Sequence, residues 1–190
     1  AGAVAGVLAA HRPDQIVHCA AETHVDRSIL GSGDFVRTNV EGSRVLLDAA
    51  RAAGVRRFLH VSTDEVYGSL GATGAFAETS PLQPNSPYAA SKTGADVLAR
   101  AYHVTYGLPV ITTHTMNVVG FRQHPEKYVP MTIAKVRNGE TVTIHSNKER
   151  TKAGSRFYID AREVADAVLF LLENGKAGEK YNIVGERELD

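Results

Sequence analysis

Apolar positions along this chain fall into two alternating kinds of run. QIVHCA at residues 15–20 and RFLHVS at 57–62 are short and continuous, the pattern of strands buried on both faces. Between them Phe35, Val36, Val40, Val45, Leu46 and Ala49 recur at helical spacing, which predicts a helix over 34–53 closed by Gly54. The chain opens with the end of a helix at 3–10, stopped before Pro13. After a loop rich in Gly, Ser, Thr and Pro, Ser86 suits an N-cap and Pro87 a first turn. Gly107 and Pro109 then close a long helix over 88–106. A β-branched strand is predicted at 110–116, a helix at 129–138 ending at Gly139, and a brief strand at 141–144. A charged loop over 145–155 leads to an amphipathic helix at 161–173 and a last strand at 181–184. No segment repeats and none is of low complexity.

Strands alternating with helices imply βαβ units, hence an α/β fold with a mostly parallel sheet and right-handed crossovers. Ligands of such sheets sit beyond the carboxyl ends of the strands. One rim should therefore carry His18-Cys19-Ala20-Ala21, Ser62-Thr63-Asp64-Glu65 and Thr115-Met116-Asn117.

Composition narrows the partners. The chain has 190 residues, enough for one ordinary domain, with 43% hydrophobic and 22% charged positions, which are globular values. Lys plus Arg and Asp plus Glu are both 21. That balance gives no electrostatic footprint for nucleic acid or an anionic membrane. Arg56-Arg57 and the segment from Lys148 to Lys152 read as solvated surface before they read as anion sites. The single cysteine, Cys19, excludes a disulfide framework, has no metal spacing around it and reads as a small core residue. No apolar run approaches a membrane span and the opening AGAVAGVLAA lacks a signal-peptide pattern, so a soluble, cytoplasmic chain is expected, with no metal.

Two stretches carry candidate chemistry. In LHVSTDEVYG (59–68) an apolar strand ends in Thr63, Asp64 and Glu65, two adjacent acids at a position that is costly to fill without a task. Asp64 and Glu65 equally suit a helix N-cap and its first turn. In SPYAASK (86–92) Tyr88 and Lys92 lie four apart at the start of a helix and share a face. An ammonium beside a phenol stabilises the phenolate, so Tyr88 is expected to be a base near neutral pH. Lowering it that far takes ~4 kcal/mol, within reach of one close cation and a cofactor charge. Tyr-x-x-x-Lys alone is a weak signal; its weight comes from converging with Thr63 and the acids on one rim.

STDEVYG (62–68) with SPYAASK resembles the extended short-chain dehydrogenase/reductase superfamily, and within it the nucleotide-sugar 4,6-dehydratases typified by the dTDP-glucose enzymes. AAETHVDRSI (20–29), TNVEGSRVLLDAAR (38–51), AYHVTYGLP (101–109), PEKYVP (125–130) and GEKYNIVGERE (178–188) extend the likeness over nearly the whole chain. The resemblance implies a Rossmann-like doubly wound fold, lacking its N-terminal Gly-rich βα unit, with part of a smaller C-terminal substrate domain. Residues 1–120 would form the partial NAD-binding region and 121–190 a mixed region with sugar-nucleotide elements. It implies NAD as cofactor, a nucleotide-diphosphate hexose (dTDP-glucose by the family type) as substrate, and a homodimer built through the Tyr88/Lys92 helix.

The roles carried over are specific. Tyr88 would take the O4 proton as C4 is oxidised, with Thr63 bonded to the same oxygen and Lys92 as the cation. Glu65 would remove H5, acidified by the new C4 ketone, and Asp64 would protonate the departing C6 hydroxyl. Adjacent carboxylates split their pKa values, which suits opposite tasks. Ala20, Ala21 and Ser62 with Tyr88 and Lys92 match cofactor positions, Asn39 a recurrent structural asparagine, and His24 the loop nearest the sugar. Asn117, Lys127 and Arg156 match diphosphate and nucleotide positions.

The chain departs from the pattern in three places. No Gly-rich turn precedes Gln15, so it reads as an internal fragment of a longer protein. MNVVGFRQ (116–123) stands where the family usually has Ser-Asn-Asn-Tyr-Gly-Pro-Tyr-Gln, and SRFYIDAREVADA (155–167) replaces the usual Arg-Asp-Trp-x-Tyr-Val. Base and sugar identity are therefore open. The rival readings are an epimerase or decarboxylase of the same superfamily, and an inactive fragment or binding relative.

Overall fold

The computed structural model describes every residue except 72, 148 and 190. The chain divides into two compact units, residues 1–115 with 168–183, and residues 116–167 with 184–190.

The first unit is organised by a four-stranded, all-parallel sheet in the order β1-β2-β3-β6. Its strands are β1 (Gln15–His18), β2 (Arg57–Thr63), β3 (Val110–Thr115) and β6 (Lys180–Ile183). Helix α1 (Gly2–His11) precedes β1. Between β1 and β2 come the short α2 (Val25–Leu30), then α3 (Gly33–Phe35), which runs through a π-helical stretch, Val36–Gly42, into α4 (Ser43–Ala53). Gly54 closes α4 in the left-handed region (φ 65°). Helix α5 (Pro87–Tyr106) connects β2 to β3, and Gly107 (φ 72°) closes it as its position requires. Leu47, Ala50, Val55, Phe58, Ala99, Leu108 and Val110 form the core under α4 and α5. Full burial of Phe58 alone contributes about 1.5–3 kcal/mol. Gly94 lets α5 approach the π-helical stretch: a Cβ there would sit 3.1 Å from a methyl of Val40.

The register gives the sheet its rim. His18 pairs with His60 and Thr63 with Thr115, so β2 and β3 end together, a few residues beyond β1. The doubly wound, parallel α/β expectation holds. Two details differ. β1 is not buried on both faces; Val17 is 40% exposed, because β1 pairs only with β2 among the described residues. The helix expected over 34–53 contains the π-helical turn, which no periodicity signals.

In the second unit β4 (Asn117–Val119) pairs in parallel with β5 (Arg156–Asp160), and β7 (Glu188–Leu189) lies antiparallel to β5. Helix α6 (Tyr128–Arg137) lies between β4 and β5 in the chain. Helix α7 (Ala161–Asn174) begins with a capping box: Asp160 Oδ1 accepts from the Arg162 N–H at 2.8 Å, and Glu163 Oε2 accepts from the Asp160 N–H at 3.0 Å. That accounts for Asp160 at a position where an aromatic was expected. The strand expected at 141–144 is absent. Thr-Val-Thr-Ile alternates as a strand should but finds no ladder, Ile144 is exposed, and a single bridge, Ser146 to Ala153, stands beyond it.

Candidate active site

The acid pair sits on one short turn. Beyond β2, residues Asp64–Tyr67 form a 3-10 helix whose N-cap is Thr63. Thr63 Oγ1 accepts from the Glu65 N–H and donates to Asp64 Oδ1, both at 3.3 Å. Asp64 is half-buried and Glu65 exposed. The two readings of these acids are therefore compatible: they are a first helical turn, and they stand at the strand end. Gly68 (φ 87°) closes the turn where a Cβ would lie 2.2 Å from the Gln83 carbonyl oxygen.

Helix α5 brings the phenol to this turn. Ser86 Oγ accepts from the Ala89 N–H at 3.0 Å, with Pro87 at the first position. The Tyr88 N–H is taken by Ser28 Oγ from α2 at 3.1 Å. Tyr88 is buried, edge-on to Phe35 at 6.4 Å, and its phenol feels the Thr63 hydroxyl. One turn on, the buried Lys92 donates from Nζ to the Val61 carbonyl at 2.8 Å.

Electrostatics bear on the expected phenolate. Burial first, then the Glu65 and Asp64 carboxylates, push the Tyr88 phenol above its ordinary value, and the Thr63 hydroxyl offsets only part of this. The Lys92 ammonium is itself disfavoured by burial, with the Asp96 carboxylate opposing that, and its hydrogen bond goes to a backbone carbonyl. Without a cofactor's charge these surroundings favour the neutral phenol of Tyr88 over its phenolate. Sequence placed the cation and both acids on this rim but not the upward push the acids give the phenol.

Ala20 and Ala21 follow β1 on the same rim, and Ser62 Oγ and Thr115 Oγ1 are buried there without hydrogen-bond partners. Orphaned hydroxyls at strand ends fit a polar ligand laid across the rim. His24 is the N-cap of α2. The structure thus brings Ser62, Thr63, Asp64, Glu65, Tyr88 and Lys92 together. Asn117, Lys127 and Arg156 belong to the second unit. There Asn117 Nδ2 donates to the Phe157 carbonyl at 3.4 Å, Lys127 precedes α6, and the exposed Arg156 donates to the Ser155 carbonyl at 2.8 Å.

Residues 1–184 match the family described as "NAD dependent epimerase/dehydratase family". The chain belongs to that family. It is 45% identical over 194 residues to a dTDP-glucose 4,6-dehydratase of Xanthomonas campestris pv. campestris, covering 97% of this chain and 54% of that protein. The chain therefore spans about half the length of the curated relatives it matches. Among solved structures, DesIV, a dTDP-glucose 4,6-dehydratase of Streptomyces venezuelae determined with NAD bound, superposes with a TM-score of 0.92 at 47% identity, covering 99% of this chain and 56% of that one. A UDP-glucose 4-epimerase of Thermotoga maritima superposes at 0.89 with 28% identity, covering 99% and 60%. The resemblance drawn from Thr63-Asp64-Glu65 and Tyr88/Lys92 is borne out by these relatives. Among the described residues no helix is long and apolar enough to cross a membrane.

Sequence reasoning missed a buried polar group behind this site. His60 on β2 and His114 on β3 flank the Asp96 carboxylate of α5, and Tyr67 and Asn182 extend the line. The signal was available: Asp96 follows Lys92 by one helical turn, and both histidines interrupt strands otherwise read as apolar or β-branched.

Proposed function

We propose that this chain carries the catalytic residues of an NAD-dependent nucleotide-sugar 4,6-dehydratase, acting on a nucleotide-diphosphate hexose of the dTDP-glucose type. The observation that carries the reading is the turn at Thr63, whose hydroxyl donates to Asp64 and accepts from the Glu65 N–H, and whose acids act on the Tyr88 phenol. An alcohol-oxidising group and an acid pair thereby share one junction.

NAD, when bound, supplies a hydride acceptor for C4 and returns that hydride at C6, and brings a cationic charge beside the phenol. Ala20, Ala21, Ser62, Tyr88 and Lys92 would hold it. Lys92 stabilises the phenolate form of Tyr88, which takes the O4 proton and is neutralised by it. Burial and the two carboxylates raise the phenol, so forming that phenolate calls on the added positive charge. Glu65 then removes the proton at C5, which the C4 ketone has acidified. Asp64 gives a proton to the C6 hydroxyl, so that the C6–O bond breaks and water leaves. Glu65 finally returns its proton to C5. Asn117, Lys127 and Arg156 supply the amide and cations a diphosphate needs.

A 4-epimerase of the same family would use Tyr88 and Thr63 alike but has no use for the acid pair. The test incubates the protein expressed from its complete gene with NAD+ and a panel of nucleotide hexoses, with products read by mass spectrometry. Loss of one water from a nucleotide hexose is the expected result. An unchanged mass with a new stereoisomer would make it an epimerase, and no turnover would overturn the enzymatic reading.

A further inference from the structure

The turn bearing Asp64 and Glu65 is four residues long, too short to be stiff by itself. Thr63 caps its start. Its end is Tyr67, 2% exposed and among the largest fully enclosed side chains of the described residues. Tyr67 is anchored on every side. Its ring stacks on Phe76 (5.1 Å between centroids, 18° between planes) and meets the His114 imidazole edge-on at 4.8 Å. Its hydroxyl lies 2.6 Å from His114 Nδ1 and donates to Asn182 Oδ1 at 2.9 Å. The phenol has one hydrogen, given to Asn182, and the His114 contact closes alongside it when Nδ1 carries a hydrogen of its own. Burial pushes this phenol up to about 12, so it keeps its hydrogen through the neutral range.

The anchors are themselves held. His114 is fully buried on β3, with Nε2 2.9 Å from Asp96 Oδ2. His60 Nε2 lies 3.2 Å from Asp96 Oδ1, off the hydrogen-bonding angle but within Coulomb contact. Asn182 on β6 takes the Glu78 carboxylate on its N–H at 2.9 Å and donates from Nδ2 to the Phe76 carbonyl at 3.3 Å. These contacts fasten the loop after Gly68 to the sheet. Asp96 stands on α5 one turn past Lys92. A single buried line thus runs from the helix that carries Tyr88 and Lys92, across β3, to the turn that carries the acids.

We propose that Tyr67 is the positioning residue of the Asp64–Glu65 pair, with His114 and Asp96 holding its hydroxyl from behind. Tyr67 touches no reacting atom; it fixes the direction in which the two carboxylates leave the turn. The inference rests on the dehydratase reading, and it separates the two halves of that chemistry. C4 oxidation depends on Tyr88, which α5 positions, whereas water loss depends on the acids, which the Tyr67 anchor positions.

The test uses the protein from its complete gene, with NAD+ and the nucleotide hexose it turns over. Reduced nicotinamide is followed by absorbance in a single turnover, water loss by mass spectrometry, and C5 exchange by deuterium uptake from D2O. Tyr67→Phe keeps the stacked ring and deletes the hydroxyl. It is expected to slow water loss and C5 exchange by about 10- to 100-fold, the scale of an ångström-sized misplacement, while nicotinamide is reduced at the unsubstituted rate. His114→Gln keeps a donor towards Asp96 but withdraws the group facing Tyr67, and is expected to give the same selective loss. It serves as the deciding variant if Tyr67→Phe does not fold. Equal slowing of both steps, or of neither, overturns the positioning role while leaving the dehydratase reading intact. Failure of the unsubstituted enzyme to lose water overturns the dehydratase reading and this inference with it.

Discussion

Asn39 grips the peptide of Glu22 with both atoms of its amide: Oδ1 accepts from the Glu22 N–H at 2.8 Å, and Nδ2 donates to the Glu22 carbonyl at 3.0 Å. The same Nδ2 reaches Ser91 Oγ at 2.9 Å, and Ser91 donates to the Tyr88 carbonyl at 2.7 Å. The segment after β1 and the start of α5 are therefore tied through one side chain on the π-helical turn. Asn39→Asp keeps the acceptor but loses the donor and places a charge against the Glu22 carbonyl and Ser91. We expect a stability loss on the order of 3 kcal/mol, read from urea unfolding, as a buried polar contact becomes a repulsion. A variant as stable as the parent would show that the grip contributes little.

Glu65→Gln should abolish water loss, by at least about 100-fold for a lost general base, while bound NAD+ is still reduced by substrate. Tyr88→Phe should suppress both steps. Normal water loss by Glu65→Gln would remove Glu65 as the C5 base.

The same substitution has an expected effect on pH dependence. The Glu65 carboxylate raises the Tyr88 phenol, so a neutral glutamine lowers it. The limb of the C4 oxidation rate that rises with pH should move to lower pH in Glu65→Gln. Single-turnover reduction of nicotinamide across pH checks this, and a shift to higher pH would contradict the proximity of Glu65 to the phenol.

Acid should unfold the protein through its buried histidines. His18 is pushed down to about 4 by burial, then by His60 and Lys92, and His60 is lowered in the same direction, also chiefly by burial. A depressed group binds fewer protons folded than unfolded, so its stability is complete above about pH 6.5 and is lost as pH falls towards 4. For His18 this amounts to about 3 kcal/mol across that window. His18→Gln, which retains a donor for Ser43, should flatten the slope of unfolding free energy against pH there. An unchanged slope would place the acid sensitivity elsewhere.

Gly68→Ala should be among the costlier single substitutions. Its φ is 87°, and an added Cβ would meet the Gln83 carbonyl oxygen at 2.2 Å. Strain at such a position is about 1–3 kcal/mol before the clash is relieved. The loss should appear in thermal unfolding, with a larger share in water loss than in C4 oxidation, because the acid turn ends at this residue.

Much of this arrangement was legible in the sequence, because it rests on local signals. Ser86, Pro87 and Gly107 bracket α5 within a residue of its observed ends, a continuous apolar run marks β2, and a β-branched run marks β3. The strand ends then place Thr63 and the acids on the rim. Short strands such as β4 and β7 were not legible, since two or three residues carry no period and exist only through their partners. The Lys92 acceptor was hidden for a different reason. It is the Val61 carbonyl, and a backbone atom has no letter in the sequence. The upward push on the Tyr88 phenol was equally hidden, because it depends on burial and on the carboxylates the fold sets against the phenol.

The Thr63 hydroxyl accepts from the Glu65 N–H, donates to Asp64 and bears on the Tyr88 phenol, all from one oxygen. It follows that Thr63→Val removes no separable quantity. The acid turn would lose its cap, Asp64 a donor and Tyr88 an influence that lowers its phenol, all in one substitution. Its effect would not equal the sum of the Asp64 and Tyr88 substitutions, and combined variants would fall short of additivity. A rate measured for Thr63→Val is a property of the crossing itself, as the closing of a junction measures the roads that meet there and no single one of them.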